Sequence, residues 1–197
     1  MTSGGPALAG RIGVAWAHIK ARSEIRFVLS FVVLSGLLFS VYSFPYPEGS
    51  AARQLSDGYL RAYAHLAGWA LSLFEPGIAV HGDSIAGRYG LRIVRGCDAV
   101  DAQILLLSAF LASSAYSWRW RVAGAACGLV LITVANVVRI CSLYYVGAFL
   151  PGSFELVHHE IWPLLLIVLA AGFFASWLRL PKERGTPRRG ATPGALP

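Results

Sequence analysis

Charged side chains are scarce in this chain of 197 residues, where Asp, Glu, Lys and Arg together make up 14%, against about 25% in soluble proteins. Hydrophobic residues make up 56% and the mean hydropathy is +0.58. A soluble fold of this length could not cover so much apolar surface. The composition therefore predicts a single membrane-embedded domain.

Cysteine is scarce too, because only Cys97, Cys127 and Cys141 are present and no two of them form a C-x-x-C pair. An odd count with this spacing excludes a complete disulfide framework and a cysteine-based zinc site. The H-E-x-x-H motif is absent as well, so a metal-dependent intramembrane protease is the least favoured class of enzyme. We expect at least one free thiol, no metal and no cofactor.

The formal charge of +7 raises the question of nucleic acid. A nucleic-acid-binding surface gathers its charge on one solvated face with aromatic platforms, whereas here the basic residues form three clusters that each abut an apolar run. That placement follows the positive-inside rule for membrane proteins, and we expect no nucleic-acid partner. The clusters are Arg11, Lys20, Arg22 and Arg26; Arg119 and Arg121; and Arg179, Lys182, Arg184, Arg188 and Arg189.

Four apolar runs predict transmembrane helices, at residues 27–44, 102–118, 122–146 and 161–178. The first run is uncharged and approaches the roughly 20 residues that span a bilayer. It exceeds the apolar core of about 7–15 residues of a signal peptide. We therefore expect an uncleaved anchor that leaves the cytoplasm.

Two further segments are expected outside the hydrocarbon. Residues 59–74 have helical periodicity but carry Arg61 and His65, which favours an interfacial or partly inserted helix. Residues 78–95 alternate in polarity and are rich in glycine, which predicts a β-hairpin or an extended loop. Such backbone is costly in hydrocarbon because its polar groups lack partners there.

Four crossings place all three basic clusters in the cytoplasm and eight of the ten acidic residues outside. A fifth crossing at residues 59–74 would leave basic clusters on the far side. The predicted fold is an all-α integral membrane helical bundle of about four transmembrane helices, one surface helix and a short extracytoplasmic β-hairpin. It occupies residues 27–178, between a cytoplasmic leader at 1–26 and a disordered basic cytoplasmic tail at 179–197.

Arg139 is the clearest polar candidate, since an ionisable side chain at membrane depth indicates function. Asn136 precedes it by three residues and shares its helix face. The alternative is that the guanidinium of Arg139 extends to the outer headgroups and has no further role.

Cys97 lies at the outer mouth of a helix that we expect to begin near Asp98, with Asp98 as a possible cap. The helix dipole at that position would lower the pKa of the thiol and favour the nucleophilic thiolate. A small apolar residue at a helix entry is the alternative, and Cys127 and Cys141 fit that alternative better.

His158 and His159 precede the last helix, and histidine serves as a general acid or base near neutral pH. Adjacent residues point to different helix faces, so binding of one metal by both is not expected. A structural histidine at the headgroup boundary is the alternative. Taken together, a thiol, a cation and an imidazole at the outer ends of successive helices suffice for acyl transfer.

The segments RGCDAVDAQILLLSAFLA, ANVVRICSLYYVG and FELVHHEIW resemble the exosortase/archaeosortase family, most closely its short H-type bacterial members. The resemblance covers residues 78–177 and implies Cys97 as nucleophile, Arg139 as stabiliser of the oxyanion, and His158 as general acid/base. The F-E-x-x pattern selects His158 over His159, and Asn136 and His159 are left as supporting residues. Many exosortases read C-S-G at the nucleophile, whereas this chain reads Cys97-Asp98-Ala99.

The resemblance implies a membrane-embedded cysteine protease or transpeptidase in the bacterial inner membrane, with its active site facing the periplasm or the outside. Its implied partners are membrane lipid and membrane-anchored proteins that carry a C-terminal sorting signal of a short motif, a transmembrane helix and a basic cluster. The hairpin at 78–95 is expected to guide the motif by strand addition. A non-catalytic scaffold and a small transporter component remain the alternatives.

Overall fold

A computed structural model describes the backbone of residues 5–180 and the side chains of residues 23–180. Three helices are long and apolar enough to cross a membrane, namely Ser23–Ser43, Trp118–Phe149 and Pro151–Leu178, and a fourth apolar helix, Val100–Ala112, is shorter. The prediction of an all-α membrane protein is therefore confirmed. Nearly all of the tail predicted from residue 179 lies outside the described residues.

Helix α1 (Gly5–Ser43) begins well inside the segment that was expected to be a separate leader. No proline occurs between Pro6 and Pro45, so nothing in the sequence interrupts the helix before it reaches the membrane span. Val32 and Val33 are more than half exposed on this span, as expected for side chains that face lipid. The sequence-based boundary at residue 27 marked the start of the apolar segment and not the start of the helix.

Helix α2 (Ala51–Ser72) begins eight residues before the predicted segment because Ser50 caps it, with the Ser50 hydroxyl accepting from the backbone N–H of Arg53 at 3.2 Å. One stripe of the helix is buried with the spacing of an amphipathic helix. It consists of Leu60, Tyr63, Ala64, Ala67, Gly68 and Leu71. Among the described residues, helix α2 is not one of the helices that are long and apolar enough to cross a membrane.

An antiparallel sheet of three strands follows, in the order β1 (Ala79–His81), β2 (Ser84–Ala86), β3 (Leu91–Arg92). Val80 faces Ile85, and Ile85 faces Leu91 in the next pair. The predicted hairpin corresponds to β1 and β2, and β3 was not predicted because two residues are too few to show alternation. The sheet packs closely on α2, where a Cβ at Gly68 would collide with Val80.

Helix α3 (Val100–Ala112) has 13 residues and ends six residues before the predicted boundary. Helix α4 (Trp118–Phe149) has 32 residues and includes the Trp-Arg segment that was expected to be a connection. The reason is again a cap, since the Ser117 hydroxyl accepts from the backbone N–H of Trp120 at 3.4 Å. The connection between the two helices is therefore residues 113–117.

The last helix starts earlier and less regularly than predicted. A 3₁₀ turn at Pro151–Ser153 leads into the single turn α5 (Phe154–Leu156), a π-helical turn at Val157–Ile161, and helix α6 (Trp162–Leu178). The π-helical turn contains both adjacent histidines. Such turns occur often at functional sites, because the wider turn re-aims side chains.

Two buried clusters hold the fold together. The first joins α2, the sheet and the C-terminal part of α4, and it includes Cys97 and Tyr144. The second joins α3, α4 and α6 around Phe110, and it includes Ala99. The short turn that contains Cys97 and Ala99 therefore lies where the two clusters meet.

Candidate active site

Cys97 lies in a tight turn between β3 and α3. Its backbone N–H donates to the carbonyl of Val94 at 2.9 Å, and Gly96 takes a φ of 92° that suits glycine. Ala99 has a φ of 56°, and among the described residues no other residue except glycine has a positive φ. Positive φ in a residue with a Cβ is strained, and such strain often occurs at active sites.

The start of α3 corrects two expectations. The helix begins at Val100 with Ala99 as its N-cap residue, so Cys97 precedes the first turn and Asp98 is not the N-cap. Cys97 is only 7% exposed, and this burial raises the pKa of its thiol, although the positive charge of Arg139 opposes the rise. The lowered pKa expected from the helix dipole is therefore wrong for the resting protein.

Asn136 holds this turn from α4. Its side chain is completely buried, and Nδ2 donates to the carbonyl oxygen of Cys97 at 2.9 Å. Because Asn136 and Arg139 lie one turn apart and are both buried, the shared helix face predicted from their spacing is present.

His158 approaches the thiol from the π-helical turn. Its Nε2 lies 3.7 Å from Sγ of Cys97, a distance compatible with a hydrogen bond to sulfur. The imidazole stacks on the ring of Phe154, with centroids 5.6 Å apart and planes inclined by 18°. The stacking fixes the ring plane, so that Nε2 is directed at the sulfur.

His159 points away from the thiol. Its side chain is 65% exposed, and its Nε2 lies 3.2 Å from a carboxylate oxygen of Glu155. Its ring meets the edge of the His158 ring, with centroids 4.4 Å apart. The two histidines thus face different directions, as their adjacency predicted, and His159 contacts the ring of His158 from the side.

Arg139 is 3% exposed and lies within the bundle, so its guanidinium does not extend to the surface as the alternative interpretation requires. Its Nη2 donates to the carbonyl oxygen of His158 at 3.3 Å. The thiol of Cys97 and the carboxylates of Asp98 and Asp101 are close enough to interact with its charge. The arginine therefore connects the histidine turn to the cysteine turn electrostatically.

Two residues near the site were not predicted to be part of it. Asp98 is 3% exposed, and its carboxylate accepts a hydrogen bond of 2.7 Å from the hydroxyl of Tyr42 in α1. The other carboxylate oxygen accepts weakly from the backbone N–H of Val100 at 3.4 Å. Tyrosine is common at the end of any span, so the sequence carried no signal that distinguished Tyr42.

Three buried polar atoms of the site have no hydrogen-bond partner within the described part of the chain. They are Oδ1 of Asn136, Nε of Arg139 and Nδ1 of His158. Buried polar groups are nearly always paired in folded proteins, and an exception calls for an explanation. Here an oxygen that can accept a hydrogen bond and an N–H that can donate one are both without a partner beside the same thiol. This arrangement suits the binding of a polar group such as a peptide bond.

The other cysteines do not join the site. Cys127 is exposed on α4, and Cys141 is partly buried with its Sγ 3.8 Å from the carbonyl oxygen of Ala67. All three thiols are free. Cys97 is the one that lies beside both an imidazole and a guanidinium.

The family model of the transmembrane exosortases matches residues 12–176 of the chain. The chain belongs to the transmembrane exosortase family. The match includes α1 and α2, although the resemblance seen in the sequence began only at residue 78. No curated protein and no solved structure matches this exosortase family member.

Proposed function

We propose that this exosortase is a cysteine protease or transpeptidase that cleaves the C-terminal sorting signals of exported proteins and transfers them to a surface acceptor. One observation carries the proposal, namely the 3.7 Å separation of Cys97 Sγ from His158 Nε2 beside the buried Arg139. A buried thiol, a part-buried imidazole and a buried guanidinium supply the nucleophile, proton carrier and charge stabiliser that acyl transfer needs. Family membership supports the same reaction class.

In the first half-reaction, His158 Nε2 accepts the Sγ proton as the sulfur attacks the carbonyl carbon of the scissile peptide. Nε of Arg139 has no partner among the described residues and donates to the oxyanion that develops. The imidazolium then gives its proton to the departing amine, the C–N bond breaks, and a thioester to Cys97 remains.

In the second half-reaction, an acceptor with a nucleophilic N–H or O–H attacks the thioester while His158 takes its proton. The C–S bond breaks, and the thiolate recovers the proton from the imidazolium. Transfer to an amine or hydroxyl gives a transpeptidase, and attack by water gives a protease. The same three residues serve both outcomes.

The raised pKa of Cys97 fits a nucleophile that is deprotonated only during the reaction. Burial favours the protonated thiol of Cys97, and the electrostatic interaction with Arg139 favours the thiolate once it forms. Such a site protects the cysteine from oxidation between reaction cycles, because oxidation proceeds through the thiolate.

The proposed orientation places this site at the outer side of the bacterial inner membrane. The basic clusters at residues 11–26, 119–121 and 179–189 then lie in the cytoplasm, as the positive-inside rule favours. A membrane-anchored substrate with a C-terminal helix would present its short motif to the same side. Strand addition at a free edge of the three-stranded sheet remains our prediction for motif binding.

The alternatives of a scaffold and a small transporter component make different demands. A transport path requires polar side chains distributed through the depth of the bundle. In the described residues, the larger buried polar side chains are Asp98, Asn136 and Arg139, and all three belong to one site. A scaffold would tolerate loss of the thiol, which the enzyme would not.

The test is co-expression with candidate tail-bearing substrates and measurement of tail removal. Cys97→Ala, Arg139→Ala and His158→Ala are each expected to lower processing by a factor on the order of 10² or more. His159→Ala is the matched control and should remain active, since that ring is exposed. Full processing by Cys97→Ala, with protein levels equal to wild type, would refute the enzyme proposal and favour the scaffold.

A further inference from the structure

A polar cavity lies close to the cysteine turn, and none of the three proposed catalytic residues lines it. Its volume is about 450 Å³, within the range of roughly 300–1,000 Å³ typical of ligand sites. It lies between α2, the β1–β2 turn and the segment that leads from β3 towards Cys97. Its lining includes four arginines and two aspartates: Arg53, Arg61, Arg92, Arg95, Asp57 and Asp83.

Only two of the four arginines in this cavity, which we call the arginine cavity, are neutralised. Arg53 pairs with Asp57 at 3.4 Å, and Arg92 pairs with Asp83 at 3.1 Å. The hydrogen bond from Arg92 lowers the pKa of Asp83, so this pair remains ionised at neutral pH.

The other two arginines leave the cavity positively charged. Arg61 and Arg95 make no ion pair with the residues whose side chains are described. Arg95 is partly buried, two residues before Cys97. Unpaired guanidinium groups that line a concave surface favour binding of an anion.

The outer surface of α2 indicates where this cavity lies relative to the bilayer. Leu55, Leu66 and Trp69 are exposed on this helix, and Leu73 and Phe74 are exposed just beyond it. A helix with an exposed apolar face next to basic side chains is typical of the membrane interface. The arginine cavity is therefore expected at the depth of the lipid headgroups.

We infer that the arginine cavity binds the phosphate of an anionic phospholipid headgroup. Arginine is suited to this ligand because its planar guanidinium donates two parallel hydrogen bonds to phosphate oxygens. In the orientation proposed above, these arginines lie on the side where the positive-inside rule disfavours them. Binding of an anionic headgroup explains why that side carries them.

A phosphate bound in the arginine cavity would also affect the turn that carries Cys97. Arg61 belongs to α2, whereas Arg95 belongs to the turn in which Val94 accepts from the backbone N–H of Cys97. A phosphate held by both guanidinium groups would tie α2 to the cysteine turn. This site does not depend on the proposed reaction, although it would order the turn that the reaction uses.

The experiment uses the full-length Cys97→Ala protein in detergent, so that binding is measured without catalysis. We titrate short-chain phosphatidylglycerol, short-chain phosphatidylcholine and inorganic phosphate, and we follow the thermal unfolding midpoint and the bound lipid by native mass spectrometry. Phosphatidylglycerol should bind and raise the midpoint, phosphatidylcholine should do so much less, and inorganic phosphate should bind weakest.

Replacement of Arg61 or Arg95 by glutamine should weaken phosphatidylglycerol binding about fivefold each, and the double replacement about 25-fold. Arg88→Gln is the matched control, because Arg88 belongs to the sheet region but pairs with Glu75 outside the cavity. If the glutamine variants do not fold, lysine at both positions keeps the charge but loses the bidentate geometry, and binding should fall to an intermediate value.

Three results would overturn the inference. Equal binding of phosphatidylcholine would show that net negative charge is not recognised. Inorganic phosphate as effective as phosphatidylglycerol would identify a site for soluble phosphate rather than lipid. An unchanged affinity in the Arg61→Gln, Arg95→Gln double variant would place the lipid elsewhere. These three results concern lipid binding alone, so they can be told apart from a failure of the Cys97 variant to abolish processing, which would count against the proposed function.

Discussion

The hydrogen bond from Asn136 to the carbonyl oxygen of Cys97 offers the sharpest test of how the site is held together. We consider Asn136→Leu, which keeps the approximate size of the side chain and removes its donor. Asn136 is completely buried and Cys97 is 7% exposed, so water cannot readily replace the lost bond of 2.9 Å. The Cys97 carbonyl would be left buried without this partner.

A buried acceptor that loses its donor costs about 1–3 kcal/mol. The substitution also removes Oδ1 of Asn136, which has no partner among the described residues, and this partly offsets the loss. We therefore expect a decrease of about 1–2 kcal/mol in the free energy of unfolding. The cysteine turn should also shift, and a displacement of about 1 Å at a reacting group can lower a rate about 10²-fold.

The assay combines unfolding in mixed micelles with processing of a tail-bearing substrate. Val134→Leu is the control, because Val134 lies on the same helix and is exposed to lipid. If Asn136→Leu matches wild type in both measurements, the hydrogen bond does not position the nucleophile. A large loss of processing without any loss of stability would instead indicate that Asn136 contacts the substrate.

Three further predictions concern the surroundings of the site. Burial raises the pKa of Cys97, so alkylation of its thiol by a small membrane-permeant reagent should increase as the pH rises through and above the ordinary thiol pKa of about 8.5. Arg139→Gln should shift that increase to still higher pH. A shift to lower pH would contradict the role of the guanidinium. Tyr42→Phe removes a hydrogen bond of 2.7 Å to a buried carboxylate and should lower the free energy of unfolding by about 1.5–3 kcal/mol, whereas no change would show that the bond is not maintained in the membrane. Gly147→Val places methyl groups where the ring of Tyr89 packs. This overpacking should lower the free energy of unfolding by about 1–3 kcal/mol in the same assay. An equally stable variant would mean that the ring can move aside.

The sequence predicted the architecture well because the strongest signals in a membrane protein are the apolar runs and the basic residues at their ends. It predicted the ends of helices poorly. Ser50 and Ser117 cap α2 and α4 earlier than the apolar patterns begin. A cap depends on the backbone geometry of one residue, and serine occurs at many other positions without capping anything.

The predicted site residues come together in space, but their local environments were not predictable. The spacing of Asn136 and Arg139 within one helix fixed their common face in advance. The burial of Cys97 depends on α2 and the sheet packing around it, and this tertiary contact reverses the expected direction of its pKa. Tyr42 and Asp98 are 56 residues apart, and no local pattern connects them.

Helix α3 has only 13 residues and so rises about 20 Å, whereas the hydrocarbon core of a bilayer is about 30 Å thick. Its neighbours α1, α4 and the helical segment Pro151–Leu178, of which α6 is the last part, are long enough to cross it. The membrane must therefore be indented beside α3, or the polar connections at its two ends must lie below the headgroups while shielded by protein. In either case the proposed reaction would take place below the level of the surrounding headgroups, so a substrate's scissile peptide bond would have to reach Cys97 at that depth.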